Sequence, residues 1–339
     1  MGINDPGSFK AHDISPEHLE KEQAERFARD IERLLSYRER FVTVPCPACG
    51  HLKYHMAFEK YDMSYVVCGR CETMYINPRP TPEVLDIYYS GSENYAYWNK
   101  YIFPASENVR REKIFRPRVR NILEICSRYN VPGGTIIEVG AGFGIFCEEI
   151  KKTGYFERVV GIEPTPDLAH TCRGKGIDVI EELVEKVDFG ESKADVVAAF
   201  EVIEHLYSPR DFLESCRKIL NPGGLIVLTC PNVKGFDISL LQSLSDAVDV
   251  EHLNYFNPVS LGNLLKTNGF DVIDVSTPGK LDADRVRNAA LAGEFDLGKY
   301  PFLKRVLIDE WQKLGDGFQR FLADNGLSSH MWVVGRKKK

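Results

Sequence analysis

The sequence predicts an α/β protein. Its centre is a doubly wound, seven-stranded Rossmann-like sheet, with a four-cysteine ribbon on the N-terminal side and a helical insertion before the last strand. Three observations carry this prediction. Apolar β-branched runs alternate with helical segments every 20–35 residues beyond Thr135, which is the pattern of parallel strands with helices on both faces. The first run, TIIEV, meets glycines at every second position, Gly140, Gly142 and Gly144. Upstream, two C-x2-C pairs stand 18 residues apart.

The composition sets bounds on function. At 339 residues, 43% hydrophobic and 27% charged, the chain is an ordinary globular length with appendages. A net charge of −6 supplies no electrostatic drive towards nucleic acid. No 18-residue apolar run and no signal-like N-terminus occur, so no membrane span and a cytoplasmic location are expected. Nine cysteines in such a chain point to thiols or metal ligands before disulfides.

Residues 1–40 are expected as an N-terminal helical segment. Leu19, Phe27, Ile31, Leu34 and Leu35 share one face of a single amphipathic helix over 16–40. Residues 41–80 form the ribbon. Cys46, Cys49, Cys68 and Cys71 can aim four thiolates at one point, the tetrahedral set of a structural Zn²⁺ with no open position. Residues 81–120 hold seven aromatic side chains between Tyr88 and Phe103, then a basic helix that includes Arg110, Arg111, Arg116 and Arg118. This segment is expected either as packing between ribbon and core or as a lid that excludes water.

Residues 121–278 make the core. Strands are expected at Thr135–Val139, Arg158–Glu163, Asp178–Ile180, Asp195–Phe200, Leu225–Thr229 and Phe270–Ser276. The turn Gly140–Gly144 needs glycine because the chain reverses there, and a ligand against its backbone leaves no room for Cβ. Glu163 ends the second strand 19 residues after Gly144, where a carboxylate can accept from two ribose hydroxyls. His205 and His252 follow the ends of later strands. The insertion 279–329 is apolar on one face but marginal for an independent core, so it is expected to pack on the sheet end or to build a homodimer surface. Residues 330–339 supply a final strand and a basic tail.

EVGAGFG, the acid of the second strand, DVVAAFEVIEHL, LNPGGLIVLTCPN and EHLNYFNPVSL together resemble a class I S-adenosylmethionine (SAM) dependent methyltransferase. The four-cysteine ribbon combined with E-H-L-x-Y-F resembles, more narrowly, the zinc-containing sugar methyltransferases of bacterial carbohydrate pathways; the segment 279–329 departs from that pattern. The resemblance implies that Glu138, Gly140, Ala141, Gly142 and Gly144 cradle the methionine end of SAM. Glu163 and Pro164 would serve the ribose and the turn towards adenine, Glu182 the adenine, and Phe200 and Glu201 the sulfonium side. It further implies His252 as the base, with His205 and Glu251 beside it and Asn232 and Tyr255 as acceptor contacts. The acceptor is then a small molecule, most simply a sugar, with no nucleic-acid partner.

Three other classes are weighed against this. A NAD-dependent oxidoreductase would show G-x-G-x-x-G, whereas the spacing here is G-x-G-x-G after an acid. A non-catalytic SAM-binding module has no need of the intact glycines and Glu163. A methyltransferase acting on RNA or protein through the ribbon is disfavoured by the acidic charge and by FEVIEH, where an N/D-P-P-Y/F motif would stand in a nucleic-acid enzyme.

Overall fold

The computed structural model describes residues 16–190 and 193–338, leaving aside the side chain of Glu17; the first fifteen residues of the expected N-terminal segment lie outside this range. Helix α1 (Glu17–Leu35) buries Ile31 and Leu34 and stops short of residue 40, where a 3₁₀ turn at Arg38–Arg40 takes over. Three strands follow, β1 (Tyr54–Lys60), β2 (Met63–Cys68) and β3 (Met74–Ile76). Helices α2 (Pro82–Ser90), α3 (Glu93–Tyr97), α4 (Phe103–Arg110) and α5 (Arg116–Tyr129) complete the N-terminal layer; π-turns at Trp98–Ile102 and Arg111–Phe115 join the last three.

The core strands are β4 (Thr135–Val139), β5 (Arg158–Ile162), β6 (Asp178–Ile180), β7 (Ala194–Phe200) and β8 (Leu220–Pro231). A short β9 (Asn254–Tyr255), then β10 (Phe270–Ser276) and β11 (His330–Lys337), end the chain. The seven-stranded sheet runs β10-β11-β8-β7-β4-β5-β6, with β11 antiparallel to both neighbours and the five strands from β8 to β6 parallel. Helix α6 (Ile145–Lys152) follows β4, α7 (Pro166–Gly174) follows β5 and α8 (Pro209–Ile219) follows β7. The strand expected from Leu225 begins at Leu220. Ala194 already pairs with Leu220, and Asn221-Pro-Gly-Gly224 bulges out before Val196 meets Leu225. Apolar side chains on both sheet faces make two cores, as parallel strands buried on both sides require.

The ribbon does not stand apart. Its sheet runs β1-β2-β3-β9, so Asn254 and Tyr255, from the loop that follows β8, supply the fourth strand. The insertion packs through Ala283, Val286, Leu297, Val306 and Leu307 onto Leu241, in the helix Phe236–Leu241 that follows β8.

The N-terminal layer is pinned to the core by charge. Glu149 of α6 accepts from Arg111 at 2.6 Å, Arg116 at 2.9 Å and Lys152 at 2.8 Å, and is 7% exposed. Burial raises its proton affinity, but these three cations outweigh burial and hold the carboxyl down to about 2. Its stabilising effect is therefore present above the ordinary carboxylate range and disappears as pH falls from about 4.5 towards 2. Urea denaturation of the wild type and of Glu149→Gln checks this. The wild type's advantage should shrink by about 2 kcal/mol between pH 5 and pH 2.5; a pH-independent difference would show that the clamp does not act through charge.

Candidate active site and metal centre

Most of the residues expected to hold SAM and the acceptor stand at the carboxyl ends of the parallel strands, where open α/β sheets hold their ligands, while the four cysteines cluster in the ribbon. After β4, Gly140, Gly142 and Gly144 all have positive φ (75°, 54° and 70°). A Cβ on Gly140 would meet Val202 at 2.7 Å, and one on Gly144 would meet Cys172 at 2.9 Å; beside Gly142 the space is open. Two positions are thus glycine for packing as well as conformation, and the middle one presents bare backbone.

After β5, the Glu163 carboxylate accepts from the Gly142 N–H at 2.8 Å and the Thr165 N–H at 2.9 Å. Burial raises its proton affinity, and these two backbone donors oppose the rise. The acid and the glycine turn are therefore one unit. Pro164 is exposed beside it, Ala141 is buried, and Glu182, in the turn after β6, accepts from the Leu183 N–H. Glu138 lies beneath, buried, taking a hydrogen bond from the Cys147 thiol and pushed up to about 8 by burial.

Aromatic rings cover the turn. Phe103 stacks on Phe143, between the second and third glycines, with centroids 3.5 Å apart, and Trp98 lies 6.2 Å from the same ring. Arg110 sits over Trp98 at 4.8 Å.

After β7, Phe200 packs edge-on to Phe146 at 4.8 Å, with the Arg118 guanidinium 4.7 Å from its ring centre. Glu201 has φ 56°, a conformation that costs a non-glycine residue energy and re-aims its side chain. Its Oε1 atom is shared by His330 at 2.8 Å, the Thr229 hydroxyl at 2.5 Å and Arg118 at 3.3 Å. Burial alone would raise this carboxyl, but His330 and Arg118 overcome it and keep it ionised far below the usual range. Three residues further on the balance reverses. Glu204 is fully buried, neither carboxylate oxygen has a hydrogen-bond partner among the described residues, and burial beside Glu201 drives it well above the usual range.

The two histidines meet. The His205 and His252 rings lie 4.6 Å apart, edge to face. Each Nδ1 points at a backbone carbonyl, that of Glu251 at 3.1 Å for His205 and that of Ala247 at 3.0 Å for His252. A carbonyl only accepts, so each Nδ1 carries a proton, and in the neutral ring Nε2 is the nitrogen that can accept. Burial and the neighbouring ring push His205 down to about 4. Glu251 takes the Tyr88 hydroxyl at 2.8 Å and is pushed up to about 7 by burial and Asp249. Asn232 and Tyr255 are also present but engaged internally. Asn232 bonds to the Ser328 carbonyl at 2.9 Å and the Lys234 N–H at 3.1 Å. The Tyr255 hydroxyl accepts from the Asp249 N–H at 2.9 Å and donates to its carbonyl at 3.1 Å.

Cys46, Cys49, Cys68 and Cys71 converge. All four sulfurs lie within 4.8 Å of one another, with Cys46 3.5 Å from Cys71 and Cys49 3.6 Å from Cys68. A tetrahedral ion with Zn–S bonds of about 2.3 Å separates its sulfurs by roughly 3.8 Å, so the donor set fits zinc and leaves no fifth position.

Sequence spacing assigns no role to Arg118, Phe143, Glu204 or His330. Glu204 had a detectable signal, an acid directly before a histidine at a strand end. Arg118 was one cation in a basic run, and His330 lies 129 residues from Glu201.

Strand order, glycine turn and strand-end acid define the core as a class I SAM-dependent methyltransferase domain. Residues 110–275 match the family model described as a methyltransferase domain. The C-methyltransferase NovU of Streptomyces niveus is 24% identical over 225 residues, covering 64% of this chain and 48% of that protein. The ubiquinone biosynthesis O-methyltransferase of Roseobacter denitrificans is 29% identical over 166 residues, 44% of this chain and 65% of that one. A Bradyrhizobium protein of the same name is 33% identical over 106 residues, 30% of this chain and 41% of that one. The chain thus spans about half the length of the first of these. Among the described residues, no helix is long and apolar enough to cross a membrane.

Proposed function

We propose that this chain transfers a methyl group from SAM to a small-molecule acceptor, a sugar in the first instance, and that its four-cysteine ribbon holds one structural Zn²⁺. The observation that carries the proposal is the union of Glu163 with the glycine turn. An acid joined to a backbone N–H of the turn, at the ends of β4 and β5, is placed to receive the ribose while the bare backbone at Gly142 admits the methionine portion. SAM supplies an electrophilic methyl on a sulfonium. What the chain supplies is alignment, since in-line displacement gains most of its rate from holding both reactants in position. Phe103, Trp98 and Phe143 exclude water from above the turn. Glu201, kept ionised by Arg118 and His330, sets a fixed negative charge at the end of β7, beside the expected position of the sulfonium. The acceptor's proton leaves within the loop that carries Glu251 and His252, against His205.

The sugar preference rests on the ribbon and on the E-H-L-x-Y-F stretch, and the similarity to a C-methyltransferase is consistent with it. Carbohydrate pathway, cytoplasmic location and a homodimer built on the insertion are parts of the same proposal. Fed a panel of nucleotide-linked sugars, the enzyme should methylate at least one; turnover only on a quinone-type phenol would move the acceptor to the class suggested by the O-methyltransferase relatives.

Three measurements test the site. Metal analysis should find one zinc per chain that is lost in Cys68→Ser together with fold stability; freely reactive thiols and no zinc would remove the metal from the proposal. Glu163→Ala should weaken SAM binding at least tenfold in calorimetry, since charge-assisted hydrogen bonds are each worth about 1.5–3 kcal/mol; unchanged affinity would displace the ribose from Glu163. His252→Asn should lower turnover by about 10²–10⁴ with SAM affinity nearly intact. If His205→Asn abolishes activity and His252→Asn does not, the proton leaves through the loop after β7.

A further inference from the structure

We infer that Glu204, His205 and His252 form a second metal site, for one first-row divalent cation, distinct from the four-cysteine site. One candidate ligand atom from each residue lies within 4.8 Å of the other two, and the set joins the loop after β7 to the loop after β8. Bonds of 2.0–2.2 Å hold neighbouring ligands roughly 3–3.5 Å apart, so atoms within 4.8 Å of one another need to close by at most about one to two ångströms.

Two further observations point to an ion. Both imidazoles have Nδ1 committed to a backbone carbonyl, Glu251 for His205 and Ala247 for His252, so that Nε2 of each neutral ring is the atom available to an ion. Metal-ligating histidines carry such an outer partner, which fixes tautomer and ring orientation. The third group, Glu204, is fully buried and neither of its oxygens finds a partner among the described residues. A buried carboxyl that remains unpaired is costly, and a cation between two imidazoles would remove that cost.

The ligand set also selects the ion. Two imidazoles and one carboxylate suit Fe²⁺, Mn²⁺ or Zn²⁺ with coordination positions left open, whereas four thiolates suit Zn²⁺ with none. If the loops after β7 and β8 receive the acceptor, as proposed above, those open positions are available to an acceptor oxygen. The cation would then orient that oxygen and favour its ionisation, and with the ion bound this replaces proton uptake by His252, whose remaining ring nitrogen serves as a ligand. The inference rests on that reading only for the cation's use; its binding does not depend on it.

The test needs neither SAM nor acceptor. Full-length protein is equilibrated with excess Mn²⁺, desalted and analysed for total metal, and Mn²⁺ affinity is followed by electron paramagnetic resonance. Mn²⁺ is a poor match for the thiolates, so it reports on the nitrogen–oxygen set. The wild type should hold one more metal ion per chain than Glu204→Gln or His205→Asn, and each variant should bind Mn²⁺ at least tenfold more weakly. His252→Asn is the second variant should either of these fail to fold, as judged by circular dichroism. Equal metal content in wild type and folded variants, or no saturable Mn²⁺ binding by the wild type below millimolar concentration, overturns the inference. Calorimetry with SAM on the same wild-type sample separates the two ideas: failure to bind SAM defeats the methyltransferase proposal and leaves the cation result standing.

Discussion

One buried guanidinium holds the site together. Arg79, at the end of the ribbon, is 1% exposed and donates to the Ile76, Tyr207 and Leu253 carbonyls and to the Asn254 side chain, at 3.0–3.3 Å. Those partners belong to the ribbon, to the loop after β7 and to the loop after β8. A planar group with five fixed donors can join three segments in this way, and a lysine could not. Burial lowers Arg79 to about 10, which still leaves it charged at neutral pH. Asn254 continues the link, its amide reaching the Ile203, Glu204 and Leu206 carbonyls. A ribbon that borrows β9 from the acceptor side, and is bolted to it by Arg79, is a wall of the site. Loss of the proposed ribbon metal would therefore be felt at His205 and His252.

The buried acids are sorted by partner. Glu201 stays ionised because Arg118 and His330 face it, whereas Glu204, three residues on, has no such partner among the described residues. Glu138, under the glycine turn, takes a hydrogen bond from the Cys147 thiol and is held towards its neutral form by burial. Two carboxyls three residues apart on one loop thus carry different charge. That division gives the end of β7, the proposed sulfonium side, a fixed negative charge while avoiding a second unpaired one beside the histidines.

The aromatic segment shows how one element serves two purposes. Trp98 and Phe103 cover Phe143 of the glycine turn, while Tyr88, in the preceding helix, bonds Glu251 on the acceptor side. Packing and enclosure are the same contacts here. The ion pairs of Arg111 and Arg116 with Glu149 keep this layer seated over both halves of the site.

By itself the sequence determined what depends on local periodicity and short spacing. The parallel strands, the turn at Gly140–Gly144, the acid at Glu163 and the cysteine pairs are written in residues that are close in the chain, so backbone geometry alone forces them. Long-range pairing was not legible. That Asn254 and Tyr255 extend the ribbon sheet, that His330 bonds to Glu201 and that Arg118 reaches the end of β7 depend on which segments the sheet brings together. Equally, Asn232 and Tyr255 look in sequence like polar groups free for a ligand. Only the folded chain shows their hydrogen bonds spent on Ser328 and Asp249. The physical reason is common to these cases: burial, unlike periodicity, belongs to the whole chain, and burial decides whether a polar side chain is a ligand, a brace or an unpaired charge.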